Sequence, residues 1–234
     1  MIKVIVLNSG GLDSTTCVGL AVKEFGKENV TTVSILYGQK HSKELTCAKK
    51  VADYYGVNHI LLNLTEVFKY SNCPLLSKSS KDIKHQSYAK QIEENGEGMV
   101  ETYVPFRNGL MLSAVAAYAM SVCNENDRVV ILLGAHADDA AGCAYADCSF
   151  EFVDAMDEAI RIGTYNKVSL LAPFVNSHKA DIVKKGLELG VPYELTWSCY
   201  EGGKEACGTC GTCIDRLAAF EANGVKDPIK YKGE

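Results

Sequence analysis

The chain reads as an α/β protein built on a parallel sheet with helices on both faces, and three observations predict it. Short β-branched apolar runs alternate with stretches of helical apolar spacing from the first residues onward. Glycines and polar residues punctuate the boundaries between them, as at Asn8 to Gly11, Gly38 and Gly56. The resulting order, strand, helix, strand, helix, strand, favours parallel neighbours, because a parallel return needs a crossover long enough to hold a helix.

Residues 2–7 form a short β-branched run of the kind buried on both faces of a parallel sheet, and the Asn8 to Gly11 turn ends it. A helix follows over 14–25. Residues 30–37 give a second strand, and 43–55 a helix through Leu45, Ala48, Val51 and Ala52 that Gly56 stops. Residues 59–64 are a third strand. The rhythm breaks over 65–101, which is rich in Ser, Lys, Glu and Asn and is expected to be a long loop, a lid or insertion over the site. Helical spacing resumes over 110–122, a fourth strand over 128–133 ends at Gly134-Ala135-His136, a helix covers 150–162 and a fifth strand 168–171. The last helix of this region, 179–189, is expected to be capped by Asn176 or Ser177 and stopped by Gly190 and Pro192. The organisation read from this is a nucleotide-binding domain over 1–192 and a C-terminal metal-binding segment with a helix over 193–234.

With 234 residues and 47% hydrophobic composition the chain can bury a full core. It has no apolar stretch of membrane-spanning length and no secretory leader pattern, so a cytoplasmic location is expected and a membrane partner is not. A net charge of -5 argues against a nucleic-acid partner, whose phosphates are held by clustered Lys and Arg. A homodimer is compatible with the sequence, which says nothing firmer about assembly. Six of the ten cysteines, Cys17, Cys47, Cys73, Cys123, Cys143 and Cys148, lie scattered among small or apolar neighbours and read as reduced, packing thiols.

Ligands in such sheets bind beyond the carboxyl ends of the strands. Ser9-Gly10-Gly11-Leu12-Asp13-Ser14 lies there, between the first strand and the first helix. Two adjacent glycines let the backbone bring its N–H groups close to an anion, and the helix N-terminus adds its positive end. Ser9, Ser14 and Thr15 add hydroxyl donors. A kinase-type loop would need a lysine before its Ser/Thr, and a dinucleotide loop would need G-x-G-x-x-G; neither is present. Asp13 beside a triphosphate would be repelled unless a divalent cation such as Mg²⁺ sat between them. The plainer alternatives are a simple turn and an acid that complements the helix dipole. Tyr37 and Gln39 follow the second strand, and His136, Asp138 and Asp139 the fourth, so they are candidates for contacts to ATP, Mg²⁺ or substrate. Lys179 opens a helix at the same edge, where the dipole disfavours it, and is a candidate cation for phosphate. Arg107 could pair bidentately with a carboxylate or phosphate.

Cys199, Cys207, Cys210 and Cys213 converge near the end, with seven residues between the first two and two between each later pair. Four thiolates satisfy tetrahedral Zn²⁺ completely and leave no position for water, so one structural zinc per chain is expected. A Cys210/Cys213 redox pair and an iron-sulfur cluster compete with it.

The run SGGLDSTT at 9–16 resembles the ATP pyrophosphatase (PP-loop) signature. Taken with LYGQKHSKEL at 36–45, YVPFRN at 103–108, AYADCSFEFV at 144–153, APFVNSHKADIV at 172–183, TWSCY at 196–200 and CGTCGTC at 207–213, the chain resembles the QueC family of 7-cyano-7-deazaguanine synthases over nearly its whole length. It departs from the family pattern at Ala146, where proline is common. The resemblance implies a Rossmann-like, adenine-nucleotide-alpha-hydrolase-like fold. It also implies an ATP-dependent reaction of 7-carboxy-7-deazaguanine with ammonia, in which Asp13, Lys179 and Arg107 serve catalysis. Ser9, Gly10, Gly11, Ser14, Thr15, Tyr37, Gln39 and His136 would then bind ATP, and Arg107, Asn108, Asp138 and Asp147 the substrate. Asp147 is the candidate for reading the guanine-like amidine edge. His41, His59, His85 and His178 are expected to be surface or packing residues, and Trp197 a core plug. The alternatives are a tRNA sulfur-transfer enzyme with the same loop, a related deazapurine-acid amide ligase and a zinc-stabilised nucleotide-binding module without turnover.

Overall fold

The computed structural model describes residues 1–96 and 98–233. Its strands are β1 Ile2–Leu7, β2 Val30–Leu36, β3 Asn58–Asn63, β4 Arg128–Leu132 and β5 Val168–Leu171. Its helices are α1 Leu12–Phe25, α2 Lys43–Tyr55, α3 Thr65–Phe68, α4 Tyr88–Asn95, α5 Arg107–Val122, α6 Ala137–Ala140, α7 Phe150–Gly163, α8 Lys179–Leu189 and α9 Gly211–Ala222. The strands are parallel throughout and lie in the order β3-β2-β1-β4-β5. Among the described residues, no helix is long and apolar enough to cross a membrane.

Successive side chains of a strand point to opposite faces, and the core divides accordingly. Val4 and Val6 of β1 pack with Leu12 and Val18 of α1, Val51 of α2 and Ile182 of α8. Ile5 and Leu7 join Leu112 and Val115 of α5 and Val153 of α7 on the other side. Each such fully buried side chain contributes roughly 1.5–3 kcal/mol, so the two layers fix the sheet and with it the loops at its carboxyl end.

Three features differ from the sequence reading. Helix α1 begins at Leu12 and α5 at Arg107, each earlier than expected, so Asp13 and Arg107 stand in first helical turns. The residue before α8 that takes the cap position is His178, not Asn176 or Ser177; its backbone N–H donates to the Asp181 carboxylate at 3.0 Å. The 65–101 segment contains α3 and α4 and buries Phe68, Leu75, Leu76, Tyr88 and Val100 in the core beneath β2 and α5. Its apolar residues anchor it at irregular intervals, which is why no helical period was legible there.

The C-terminal segment returns to the sheet. Ala219 and Phe220 of α9 enter the same core as Val4 and Val6. Arg216, 1% exposed, pairs with Asp227 through Nε to Oδ2 at 2.6 Å and Nη2 to Oδ1 at 2.9 Å, and its remaining donors reach Thr196 Oγ1 and the Tyr193 carbonyl. A buried ion pair holds only when its other hydrogen-bonding groups are satisfied, as they are here. The strap at 193–199 is thereby fixed, and its Trp197 N–H donates to the Gly10 carbonyl at 2.9 Å.

Candidate active site

Strand order reverses between β1 and β4, since β2 and β3 lie to one side of β1 and β4 and β5 to the other. Loops leaving the two central strands diverge, and the crevice between them is the expected ligand site. A cavity of about 220 Å³ opens there.

Its floor is the turn after β1. Asn8 is fully buried: its Oδ1 accepts from the Gly10 N–H at 3.0 Å and the Ser14 hydroxyl at 3.3 Å, while its Nδ2 donates to the Ala48 carbonyl at 3.2 Å. Ser9 Oγ and Ser14 Oγ lie 3.0 Å apart, and Ser9 Oγ accepts from the Gly11 N–H at 3.2 Å. Gly10 has φ of 83°, and a Cβ there would stand 2.2 Å from the Glu44 carbonyl oxygen of α2. Only glycine satisfies both the left-handed backbone and the helix pressed against it. Gly134, after β4, also lets α1 approach, with Ser14 N 3.0 Å from where its Cβ would stand.

One end of the cavity carries charges of both signs. Asp13 Oδ2 is 3.7 Å from Lys179 Nζ and 3.8 Å from His136 Nε2, and its Oδ1 is buried without a hydrogen-bond partner. His136 is fully buried, with Asp139 Oδ2 3.3 Å from Nε2. Burial works against the Lys179 ammonium, but Asp13, Asp139, Asp215 and Asp138 outweigh it and hold its pKa above the ordinary value, so it stays charged. Asp138 faces away, accepting from the Lys179 N–H at 2.7 Å and lying 2.7 Å from His178 Nδ1. It fixes the start of α8.

The other end is aromatic. Arg107 lies over the Tyr37 ring, 5.4 Å from its centroid, and donates from Nη1 to the Tyr37 hydroxyl at 3.3 Å. It forms no ion pair with a carboxylate among the described residues, so its charge is available to an anion. Trp197 is buried and also lines the cavity; Lys43 Nζ sits 3.0 Å from its ring centroid and donates to the Gly203 carbonyl at 2.6 Å. Tyr88 of α4 and Tyr200 share a hydrogen bond at 2.6 Å and close the wall between the 65–101 segment and the cysteine loop. Glu44 also lines the cavity, and burial pushes its carboxyl pKa up to about 7.

The sulfurs of Cys199, Cys207, Cys210 and Cys213 all lie within 4.8 Å of one another. Backbone N–H groups of Cys207, Thr209 and Cys210 donate to cluster sulfurs at 3.3–3.4 Å, as thiolates require. This donor set fits a metal ion, and its all-sulfur character suits Zn²⁺.

Ser9, Gly11, Asp13, Ser14, Tyr37, Gln39, Arg107, Asn108 and Lys179 all line the one cavity and form part of its wall. Gly10 supports them through its backbone. Thr15, His136, Asp138 and Asp147 stand behind that wall; the Thr15 hydroxyl is buried without a partner, and Asp147 accepts from the Asn108 N–H at 2.9 Å. Sequence reasoning missed Asn8, Glu44, Tyr200 and Asp215. An asparagine ending a strand and a glutamate in a first helical turn carry no signal beyond boundary and dipole.

The family model described as "Queuosine biosynthesis protein QueC" matches residues 3–224. The 7-cyano-7-deazaguanine synthase of Caldicellulosiruptor saccharolyticus is 44% identical over 232 residues, covering 99% of this chain and 96% of the relative. That of Caldicellulosiruptor bescii is 42% identical, covering 99% and 98%. That of Pseudoalteromonas atlantica is 40% identical, covering 98% and 99%.

Proposed function

The chain belongs to the QueC family, and from that membership and the crevice at the β1/β4 switch we propose that it is an ATP-dependent ligase converting 7-carboxy-7-deazaguanine and ammonia to 7-cyano-7-deazaguanine. The observation that carries this reading is a glycine turn with hydroxyl donors sharing one cavity with an Arg107 guanidinium that forms no ion pair among the described residues. A nucleotide and a small acid can meet there.

A carboxylate resists ammonia because its charge repels nucleophiles and oxide leaves poorly. Its attack on the α-phosphate of ATP expels pyrophosphate and makes AMP the leaving group. Ammonia then displaces AMP and loses a proton, giving the amide. A second ATP adenylates the amide oxygen and expels pyrophosphate, and loss of AMP together with both N–H protons of the former amide gives the nitrile. Two ATP are consumed per product.

In this reading the backbone at Gly10 and Gly11, with the Ser9 and Ser14 hydroxyls, holds pyrophosphate, and Thr15 steadies the first turn of α1. Lys179 offsets charge growing on the α-phosphate and on the departing pyrophosphate, a positioning and electrostatic task. Tyr37 and Gln39 flank the nucleotide. Arg107 and Asn108 orient the substrate carboxylate, with Asp147 holding Asn108 from behind, and His136 and Asp138 keep Asp13 and Lys179 in place. Asp13 and Asp139 would hold Mg²⁺, for which the orphaned Asp13 Oδ1 is suited, and the ion would neutralise charge between the phosphates. The four cysteines would hold one Zn²⁺, a closed structural site that orders the loop beneath Tyr200. The partners are small molecules, and the reduced thiols suit a cytoplasmic enzyme.

Incubation with ATP, Mg²⁺, an ammonium salt and 7-carboxy-7-deazaguanine, read by mass spectrometry, tests the proposal. Nitrile with AMP and pyrophosphate is the expected outcome; release of ADP, or AMP without nitrile, refutes it.

A further inference from the structure

Three acidic side chains line the cavity: Asp13, Glu44 and Asp139. Asp13 and Asp139 belong to the cluster with Lys179 and His136. Glu44 does not. Its carboxylate makes no hydrogen bond or ion pair among the described residues, although it stands in a cavity otherwise equipped for anions. An ionisable group is costly to hold out of bulk water without a partner, and it would repel both phosphate and a substrate carboxylate. A ligand that brings N–H donors to it removes both objections.

The surroundings say which kind of ligand. Glu44, Arg107 and Tyr37 line the same cavity, and Arg107 donates to the Tyr37 hydroxyl. Tyr37, Trp197, Leu75 and Met111 give the cavity flat and apolar walls, suited to a planar ring. The start of α2 is held firmly, since the Glu44 carbonyl packs on Gly10 and neighbouring Lys43 is pinned to Trp197 and Gly203. Asp147, the carboxylate that the sequence resemblance suggested for base reading, is taken up by the Asn108 N–H.

Resting on the substrate class proposed above, we propose that Glu44 determines base specificity: its carboxylate accepts paired N–H bonds from the 2-aminopyrimidinone edge of the heterocycle while Arg107 holds the acid group on the opposite ring. A carboxylate accepting two parallel N–H bonds is geometrically selective and charge-assisted. An analogue without the 2-amino group leaves a buried acceptor unmatched, which such sites reject strongly.

The test compares wild type with Glu44→Gln and Glu44→Asp on 7-carboxy-7-deazaguanine and on its analogue lacking the 2-amino group. Wild type is expected to prefer the parent by about 10²-fold or more in kcat/KM. Glu44→Gln is expected to lose most of that preference, chiefly through KM for the base, with KM for ATP unchanged. Glu44→Asp keeps the preference at weaker affinity. Trp197, the single tryptophan, lines the cavity, so quenching of its fluorescence reads base binding independently of turnover. Binding with the same preference but no nitrile formation would sink the ligase reading and leave the role of Glu44 standing. A Glu44→Gln variant that discriminates as wild type does, or one that raises KM only for ATP, overturns the inference, as does a wild type that binds both bases equally.

Discussion

Replacing Glu44 with glutamine should make the ligand-free protein more stable, and increasingly so as pH rises. An ordinary glutamate carboxyl titrates near 4.5, whereas burial pushes that of Glu44 to about 7. The unfolded chain therefore gives up this proton before the folded one does. Below pH 4.5 the group is neutral in both states and there is no penalty; between 4.5 and 7 the unfolded chain is ionised while the folded one still holds its proton, so the penalty grows with pH; above 7 both are ionised and the penalty is full. At about 1.36 kcal/mol per pKa unit the ceiling is about 3 kcal/mol. Solvent in the open cavity screens the charge, so roughly 1–2 kcal/mol is the expected size. Urea unfolding of wild type and Glu44→Gln at pH 5, 6, 7 and 8 measures it. The stability difference should grow by that amount in favour of the variant between pH 5 and 8, while activity falls. A difference that does not vary with pH would refute the reasoning, because it would mean Glu44 titrates alike in the folded and unfolded chains.

Asp13→Ala should abolish AMP formation while leaving metal content at the cysteine cluster intact; retained turnover would remove Asp13 from the chemistry. Cys210→Ser should lower both bound metal, read by elemental analysis, and the melting temperature, and full occupancy would contradict a four-thiolate site. Gly10→Ala should cost about 2 kcal/mol or more from its positive φ and the blocked approach of α2, and should abolish ATP binding by calorimetry; a variant with wild-type affinity would show that the turn can relax.

The sheet and its two helical layers were legible because β-branched runs such as 2–7 and glycine stops such as Gly56 and Gly190 act locally. The glycine turn after β1 was legible for the same reason: backbone freedom and hydroxyl donors sit in adjacent positions. What escaped depends on distant chain. Asn8 orders the turn through Ala48 of α2, and Tyr200 meets Tyr88 across more than a hundred residues of sequence. Phe68 and Tyr88 anchor the 65–101 segment individually, without a period to read. Asp147 looked free to bind base because nothing near it in sequence announces Asn108 as its partner.

The strap at 193–199 makes the glycine turn the joint product of two widely separated stretches of sequence. The Gly10 carbonyl accepts from the Trp197 N–H, and the Thr16 hydroxyl meets the Tyr193 hydroxyl 2.8 Å away. A fragment that stops short of this strap would carry the SGGLDS string without the contacts that hold its backbone in place.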